Sequence, residues 1–199
     1  MSKRGFDVVT AGAGVLLLSP LMLGLAVWVK LDSPGPVFFR QHRVGRRGEV
    51  FRVFQFRTMV ETPHAHDLPT IGQESRVTRA GRFLRRYRLD ALPQLLNVIQ
   101  GTMSLIGPRP QTTDYVASCP PDTRVLLLAL APGMIDWTAT LGKHNATRMA
   151  RAALPQQQNA EAALPARLDY YVRYERGRSW WIDLRIVLRA LLAVLGRRC

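Results

Sequence analysis

Twenty-two consecutive residues without a charge, Val8 to Val29 (VVTAGAGVLLLSPLMLGLAVWV), limit what this chain can become more than any other feature. A helix of about 20 apolar residues crosses a bilayer, so the fold must either bury this segment or hand it to lipid. No small-x-small cleavage site with a polar start follows it, so it is expected to stay attached rather than leave as a signal peptide. Ser19-Pro20 sits at its middle, where proline removes a backbone donor and kinks a helix, and where serine can re-satisfy a freed carbonyl. Basic residues flank both ends, Lys3 and Arg4 before and Lys30, Arg40 and Arg43 after. Because Lys and Arg mark the cytoplasmic side, charge at both ends predicts a re-entrant helix that dips in, breaks at Ser19-Pro20 and returns to the same face. A plain kinked spanning helix is the alternative.

Ser179 to Leu195 (SWWIDLRIVLRALLAVL) gives a second membrane signal, interrupted by Asp183, Arg185 and Arg189. It predicts an in-plane amphipathic helix, with Trp180 and Trp181 at headgroup level and Arg197-Arg198 meeting anionic lipid. A core helix is the alternative. Between the two segments, Val37 to Arg40 and Val50 to Arg57 alternate around Gly45 to Gly48 as a β-hairpin. A polar loop over 61–75, an extended piece ending at Leu105-Ile106-Gly107-Pro108, a short helix over Asp122 to Leu130, an irregular stretch from Pro132-Gly133 and a broken helix over Ala150 to Ala166 complete the reading. The fold class is α+β, a monotopic membrane protein in three parts: a re-entrant helix over 1–31, a cytoplasmic domain with membrane-surface helices over 32–178, and an amphipathic helix over 179–199. With 199 residues, 47% of them hydrophobic, the chain can bury one core of ordinary size.

Lys and Arg number 28 against 14 Asp and Glu, a net charge of +14 that calls for a polyanionic partner. Nucleic acid is set aside, because it leaves Val8 to Val29 unexplained and no nucleic-acid-binding motif occurs. A nucleotide phosphate or an anionic lipid fits both observations. Cys119 and Cys199 are too few for a disulfide scaffold and lack metal-ligand spacing, which fits a reducing, cytosol-facing location. His42, His64, His66 and His144 are scattered and are assigned no chemistry.

The chemistry concentrates in Arg79 to Gln111 (RAGRFLRRYRLDALPQLLNVIQGTMSLIGPRPQ). Asp90 reads as the N-cap of a helix with Pro93 in its first turn and Gly101 at its end. Arg76, Arg79, Arg82, Arg85, Arg86 and Arg88 precede it, and Gly107-Pro108-Arg109-Pro110 follows. One carboxylate between so many guanidinium groups suits a phosphorylated substrate. Arg85, Arg88 and Arg109 are the candidates for phosphate contact, since a guanidinium offers phosphate a planar fork of donors. The remaining arginines are read as solvated or lipid-facing.

These blocks resemble the bacterial sugar transferase family, specifically its small monotopic phosphoglycosyl transferases. The matching pieces are Lys3-Arg4 with Phe6-Asp7, Ser19-Pro20, Pro34 to Gln41, Arg57-Thr58-Met59, Leu89-Asp90 with Leu92 to Leu95 and Asn97-Val98, Met103 to Pro110, Pro132-Gly133 and Ser179 to Leu188. The resemblance implies an enzyme at the cytoplasmic face of the bacterial inner membrane that moves a phosphosugar from a UDP-sugar to a polyprenol phosphate and releases UMP. It further implies an Asp-Glu pair working with Mg²⁺, the Asp forming a covalent phosphosugar intermediate. Asp90 then carries the nucleophile's role and is a ligand for the metal. A homodimer is compatible with it.

One position departs from the resemblance. Where the family has glutamate after the nucleophile, this chain has Ala91, which can neither bind Mg²⁺ nor take a proton. Paired carboxylates act as a unit, so this implies either an altered transferase or a pseudoenzyme that keeps a lipid-binding platform as a scaffold for glycan assembly. Further departures follow Pro132-Gly133: Asp136 stands where the family has glycine, and Lys143 where it often has arginine, keeping charge without the fork. Asp136 is a candidate replacement for the missing glutamate.

Overall fold

The computed structural model describes residues 3–60, 76–136, 172, 174, 177 and 179–195. The apolar segment forms helix α1, Lys3–Asp32. At about 1.5 Å per residue, its 30 residues would extend about 45 Å if straight, more than the hydrocarbon core of a bilayer. The expected break at Ser19-Pro20 is instead a point inside a continuous helix. Pro20 has no N–H for the carbonyl of Leu16, and Ser19 Oγ donates to that carbonyl at 2.8 Å, so the missing bond is replaced locally.

One face of α1 rests on the rest of the molecule along its whole length. Asp7, Ala11, Leu25 and Val29 are buried, and Phe6, Val15, Leu18, Met22 and Ala26 pack partly against the same cores. The opposite face is apolar and open, with Leu16 and Leu17 each 76% exposed. Both ends are tied to one body. At the start, Arg4 donates to the carbonyls of Val98 (2.5 Å) and Ile99 (2.7 Å). At the end, Asp32 accepts from the amide of Ala80 (2.9 Å), and Arg57 donates to the carbonyl (2.7 Å) and hydroxyl (2.9 Å) of Ser33.

The hairpin consists of β1 (Phe38–Val44) and β2 (Val50–Phe56), antiparallel in register from Phe38 opposite Phe56 to Val44 opposite Val50. Helix α2 (Arg79–Tyr87) starts at Thr78, whose hydroxyl accepts from the Gly81 amide at 2.9 Å. Helix α3 (Gln94–Gln100) ends at Gly101, whose φ of 94° is a left-handed cap. Buried Asn97 joins α3 to the hairpin: its Oδ1 accepts from Phe54 N (2.9 Å), and its Nδ2 donates to Arg52 O (2.8 Å) and Thr102 Oγ1 (3.2 Å). The main core lies between α1, the hairpin and α3, and includes Ala11, Phe51, Val53, Leu95, Val98 and Ile106.

Strand β3 (Ser104–Ile106) pairs in parallel with β4 (Gly133–Ile135). The stretch from Pro132-Gly133 is therefore a strand start rather than irregular. Its signal is hidden in two glycines: a Cβ on Gly107 would lie 2.4 Å from the carbonyl oxygen of Ala131, and one on Gly133 would lie 2.0 Å from the Gly107 amide nitrogen. Between these strands lie α4 (Thr113–Ser118) and α5 (Pro121–Ala129). Helix α6 (Trp180–Leu195) turns Asp183 and Ile186 inward and leaves Trp180, Trp181, Arg185 and Arg189 exposed. The hydroxyl of Tyr174 donates to Asp183. The loop over 61–75, Lys143, the stretch Ala150 to Ala166 and Arg197-Arg198 lie outside the described residues.

Candidate active site

Asp90 does not cap α3. That helix begins at Gln94 with Pro93 in the cap position and no side-chain cap. Asp90 belongs instead to a single 3-10 turn, Leu89–Ala91, that bridges α2 and α3. Leu89 and Leu92 pack against the cluster of Phe56, Ala80 and Leu84, which fixes the turn on both sides of Asp90. Freed from capping, Asp90 presents an Oδ1 atom that is buried and has no hydrogen-bond partner among the described residues. A buried unpaired polar atom is costly, and its presence on the residue singled out by the sequence marks a place where a ligand fits.

Two features of α2 build one wall. Gly81 lets the helix press against the backbone of Thr58, since a Cβ there would lie 2.1 Å from the Thr58 carbonyl oxygen. One turn later, Arg85 Nε donates to Thr58 Oγ1 at 2.9 Å, which orients that guanidinium. Arg88 then ends α2 with φ of 58°, a left-handed conformation that glycine usually supplies. That residue costs about 1 kcal/mol or more of backbone strain, while turning the chain into Asp90 and keeping a guanidinium beside it.

The opposite wall comes from the loop after β3. Gly133 N donates to Pro108 O (2.8 Å) and Val44 N to Gln111 O (2.9 Å), fixing Arg109 between β4 and the end of β1. Burial pushes the Asp90 carboxyl above its ordinary value, while its own backbone amide and the charges of Arg88, Arg85 and Arg109 pull it back toward ionisation. The three arginines named from the sequence are thus the three whose charge acts on Asp90, and they converge from two separate segments. Ala91 lies half-buried in the same turn as Asp90. Asp136 follows β4, where Ile135 O accepts from Gly107 N at 3.2 Å, so it borders the loop that carries Arg109.

Sequence reasoning placed Arg43 among the flanking membrane charges and did not connect it to the site. Burial lowers its ordinary value, and so does the nearby charge of Arg109. The alternation of β1 held the signal, because Arg43 lies opposite buried Phe51 rather than on the outer face. Arg57 was also given no role of its own. Only 2% exposed, it locks the end of α1 to the hairpin, while its Nε and Nη1 atoms have no partner among the described residues.

A Mg²⁺ ion, implied by the family resemblance, has a limited donor set here. Among the described residues, no group of three or more His, Cys, Asp or Glu side chains is arranged to hold a metal. Mg²⁺ commonly takes one or two protein carboxylates and completes its shell with water and substrate phosphates. The orphaned Oδ1 of Asp90 fits that pattern as a single protein ligand.

Residues 1–197 match the family described as bacterial sugar transferase. The chain is 34% identical over 196 residues to the UDP-N-acetylgalactosamine-undecaprenyl-phosphate N-acetylgalactosaminephosphotransferase of Aeromonas hydrophila, covering 97% of this chain and 43% of that protein. It is 36% identical over 202 residues to the UDP-glucose:undecaprenyl-phosphate glucose-1-phosphate transferase of Xanthomonas campestris pv. campestris, covering 100% and 40% respectively. A protein of the same description from Caulobacter vibrioides is 39% identical over 203 residues, covering 98% of this chain and 70% of that protein. The chain therefore spans less than half the length of the first two relatives and more than two thirds of the third.

Proposed function

The chain belongs to the bacterial sugar transferase family, and we propose that it transfers a sugar phosphate from a UDP-sugar to a polyprenol phosphate at the cytoplasmic face of a bacterial inner membrane, with Asp90 as nucleophile. The observation that carries this reading is the buried, unpartnered Oδ1 of Asp90 among Arg85, Arg88 and Arg109. The relatives' names differ in the sugar and agree on undecaprenyl phosphate as acceptor, which favours a polyprenol phosphate here.

In the proposed reaction an oxygen of Asp90 attacks the β-phosphorus of the donor. The bond from that phosphorus to the bridging oxygen breaks, and UMP leaves with the oxygen. Asp90 then carries the phosphosugar through an acyl-phosphate bond. An oxygen of the lipid phosphate attacks the same phosphorus, the bond to Asp90 breaks, and the carboxylate is restored. Arg85, Arg88 and Arg109 hold the phosphoryl oxygens and offset the charge that builds on them. A bound Mg²⁺ would supply further neutralisation of the pyrophosphate, with Asp90 as its protein ligand. Lys143 is proposed as an additional phosphate contact through its charge.

A membrane setting brings the lipid phosphate to the site. The open apolar face of α1 and its two tethered ends favour a monotopic seat with α1 unbroken: both termini stay with the same body, and the face carrying Leu16, Leu17 and Leu23 meets lipid. Trp180 and Trp181 on α6, with Arg185 and Arg189, suit the interfacial layer of the same leaflet.

Ala91 favours a second reading, a lipid-phosphate-binding scaffold without turnover. UMP release separates the two. The chain is given a panel of UDP-sugars, undecaprenyl phosphate and Mg²⁺, beside Ala91→Glu and Asp90→Asn variants. Slow release that glutamate accelerates and asparagine abolishes supports the transferase. Lipid binding with no release by any variant supports the scaffold.

A further inference from the structure

A guanidinium on the inward face of a hairpin needs a counter-charge, and Arg43 has none among the described residues. In the β1–β2 register, Gln41 lies opposite Val53 and Arg43 opposite Phe51, both core residues, whereas Arg40 and His42 take the outer face. The side chain of Arg43 donates to the neutral Oε1 of Gln41 at 2.7 Å, and no carboxylate pairs with it among the described residues. Its charged neighbour is another cation, Arg109. The Val44–Gln111 bridge holds the two segments together, and Val44, Gly45, Pro108, Arg109, Pro110 and Gln111 wall one cleft beside it. Arg43 is half-buried and Arg109 exposed, and the repulsion between two like charges is relieved when an anion enters between them.

Resting on the transferase reading, we infer that Arg43 and Arg109 form a phosphate subsite one guanidinium beyond Asp90. Three guanidinium groups, Arg85, Arg88 and Arg109, act on the one carboxylate, and Arg43 adds a fourth beside Arg109, an imbalance suited to a substrate with more than one phosphate charge. Arg109 is shared: it acts on Asp90 on one side and on Arg43 on the other. A phosphoryl group undergoing attack sits by Asp90, and Arg43 takes a second phosphate. That group is either the phosphate that leaves with the nucleotide or the one that arrives on the lipid, and the chemistry of recognition is the same for both.

Binding rather than turnover tests this, because Ala91 alters turnover without touching Arg43. The full chain in detergent, and its Arg43→Gln, Arg43→Lys and Arg40→Gln variants, are titrated with UMP and separately with undecaprenyl phosphate, with melting temperatures recorded alongside. The expected result is affinity for at least one ligand reduced about tenfold or more in Arg43→Gln, partly recovered in Arg43→Lys, and unchanged in Arg40→Gln. Loss confined to UMP assigns the subsite to the nucleotide, and loss confined to the lipid assigns it to the acceptor. Native affinity for both ligands in a folded Arg43→Gln chain overturns the inference. Should that variant not fold, native affinity in Arg43→Lys overturns it equally, since lysine keeps the charge and removes the fork. If the native chain binds neither ligand, the transferase reading itself fails.

Discussion

Asp7 and Asp90 are both carboxylates pushed above their ordinary value by burial, yet the fold treats them in opposite ways. Asp7 is 4% exposed and supplied with partners: Ser104 Oγ donates to it at 2.8 Å and the Leu105 amide at 3.4 Å, with the charge of Lys3 nearby. It fastens the start of α1 to β3. Asp90 receives no such side-chain partner, and its Oδ1 is left bare among arginines. A carboxylate that holds a fold together is saturated with donors, whereas one that must react keeps an oxygen free and accepts the cost. The contrast is what sets Asp90 apart as the proposed nucleophile.

The comparison can be broken by substitution. Asp90→Ala should lower UMP release by about a thousandfold or more, as loss of a nucleophile does, while the melting temperature stays level or rises, because the cost of burying the carboxyl goes with it and only the contact with its own backbone amide is lost. Arg109→Gln should reduce release by about ten- to a hundredfold, with Arg109→Lys between it and the native chain. Asp7→Ala should act in the other sense, lowering stability by about 2 kcal/mol by stranding the Ser104 hydroxyl and Leu105 amide. Its activity per folded molecule should stay within about threefold of native, since Asp7 lies outside the arginine group. A large fall in stability from Asp90→Ala, or a collapse of activity in folded Asp7→Ala, would erase the distinction.

The pH dependence sharpens it. A raised carboxyl value means that the folded chain binds a proton more readily than the unfolded chain. The favourable contribution is present in full below the unfolded value of 3.8 and is lost as pH rises through the raised folded values. Removing the Asp90 charge should therefore flatten part of the stability loss between about pH 4 and neutrality. Under the proposed mechanism catalysis runs the other way, since only an ionised Asp90 would attack phosphorus, so release should decline on acidification at a higher pH than an ordinary carboxylate would give.

Much of this site was legible in the sequence because its residues lie close together in the chain. Arg85, Arg88 and Asp90 fall within six residues, and Arg109 is marked by the Gly-Pro-Arg-Pro run. The hairpin was legible because alternation and turn glycines are local signals. What escaped is long-range. The β3–β4 pairing depends on two glycine backbones meeting across 26 positions, Gly107 and Gly133, and neither segment is long enough to declare itself a strand. Arg43 reads as a flanking charge until the register turns it toward Arg109. The N-cap assignment of Asp90 failed because Pro93 follows so closely: with Leu89 and Leu92 packed partly buried against the core, the chain makes a separate 3-10 turn before α3 begins. Pro20 was expected to break α1, and Ser19 instead supplies the bond that the proline removes.

Asp90 as the attacking group is the central claim, and trapping the intermediate tests it most directly. The native chain and Ala91→Glu are mixed with a UDP-sugar in the absence of lipid acceptor, quenched, and measured by intact-protein and peptide mass spectrometry. The account predicts a gain of one sugar phosphate on the peptide containing Asp90, faster in Ala91→Glu than in the native chain and absent from Asp90→Asn. UMP release without any adduct on that peptide, or an adduct that persists in Asp90→Asn, would contradict it.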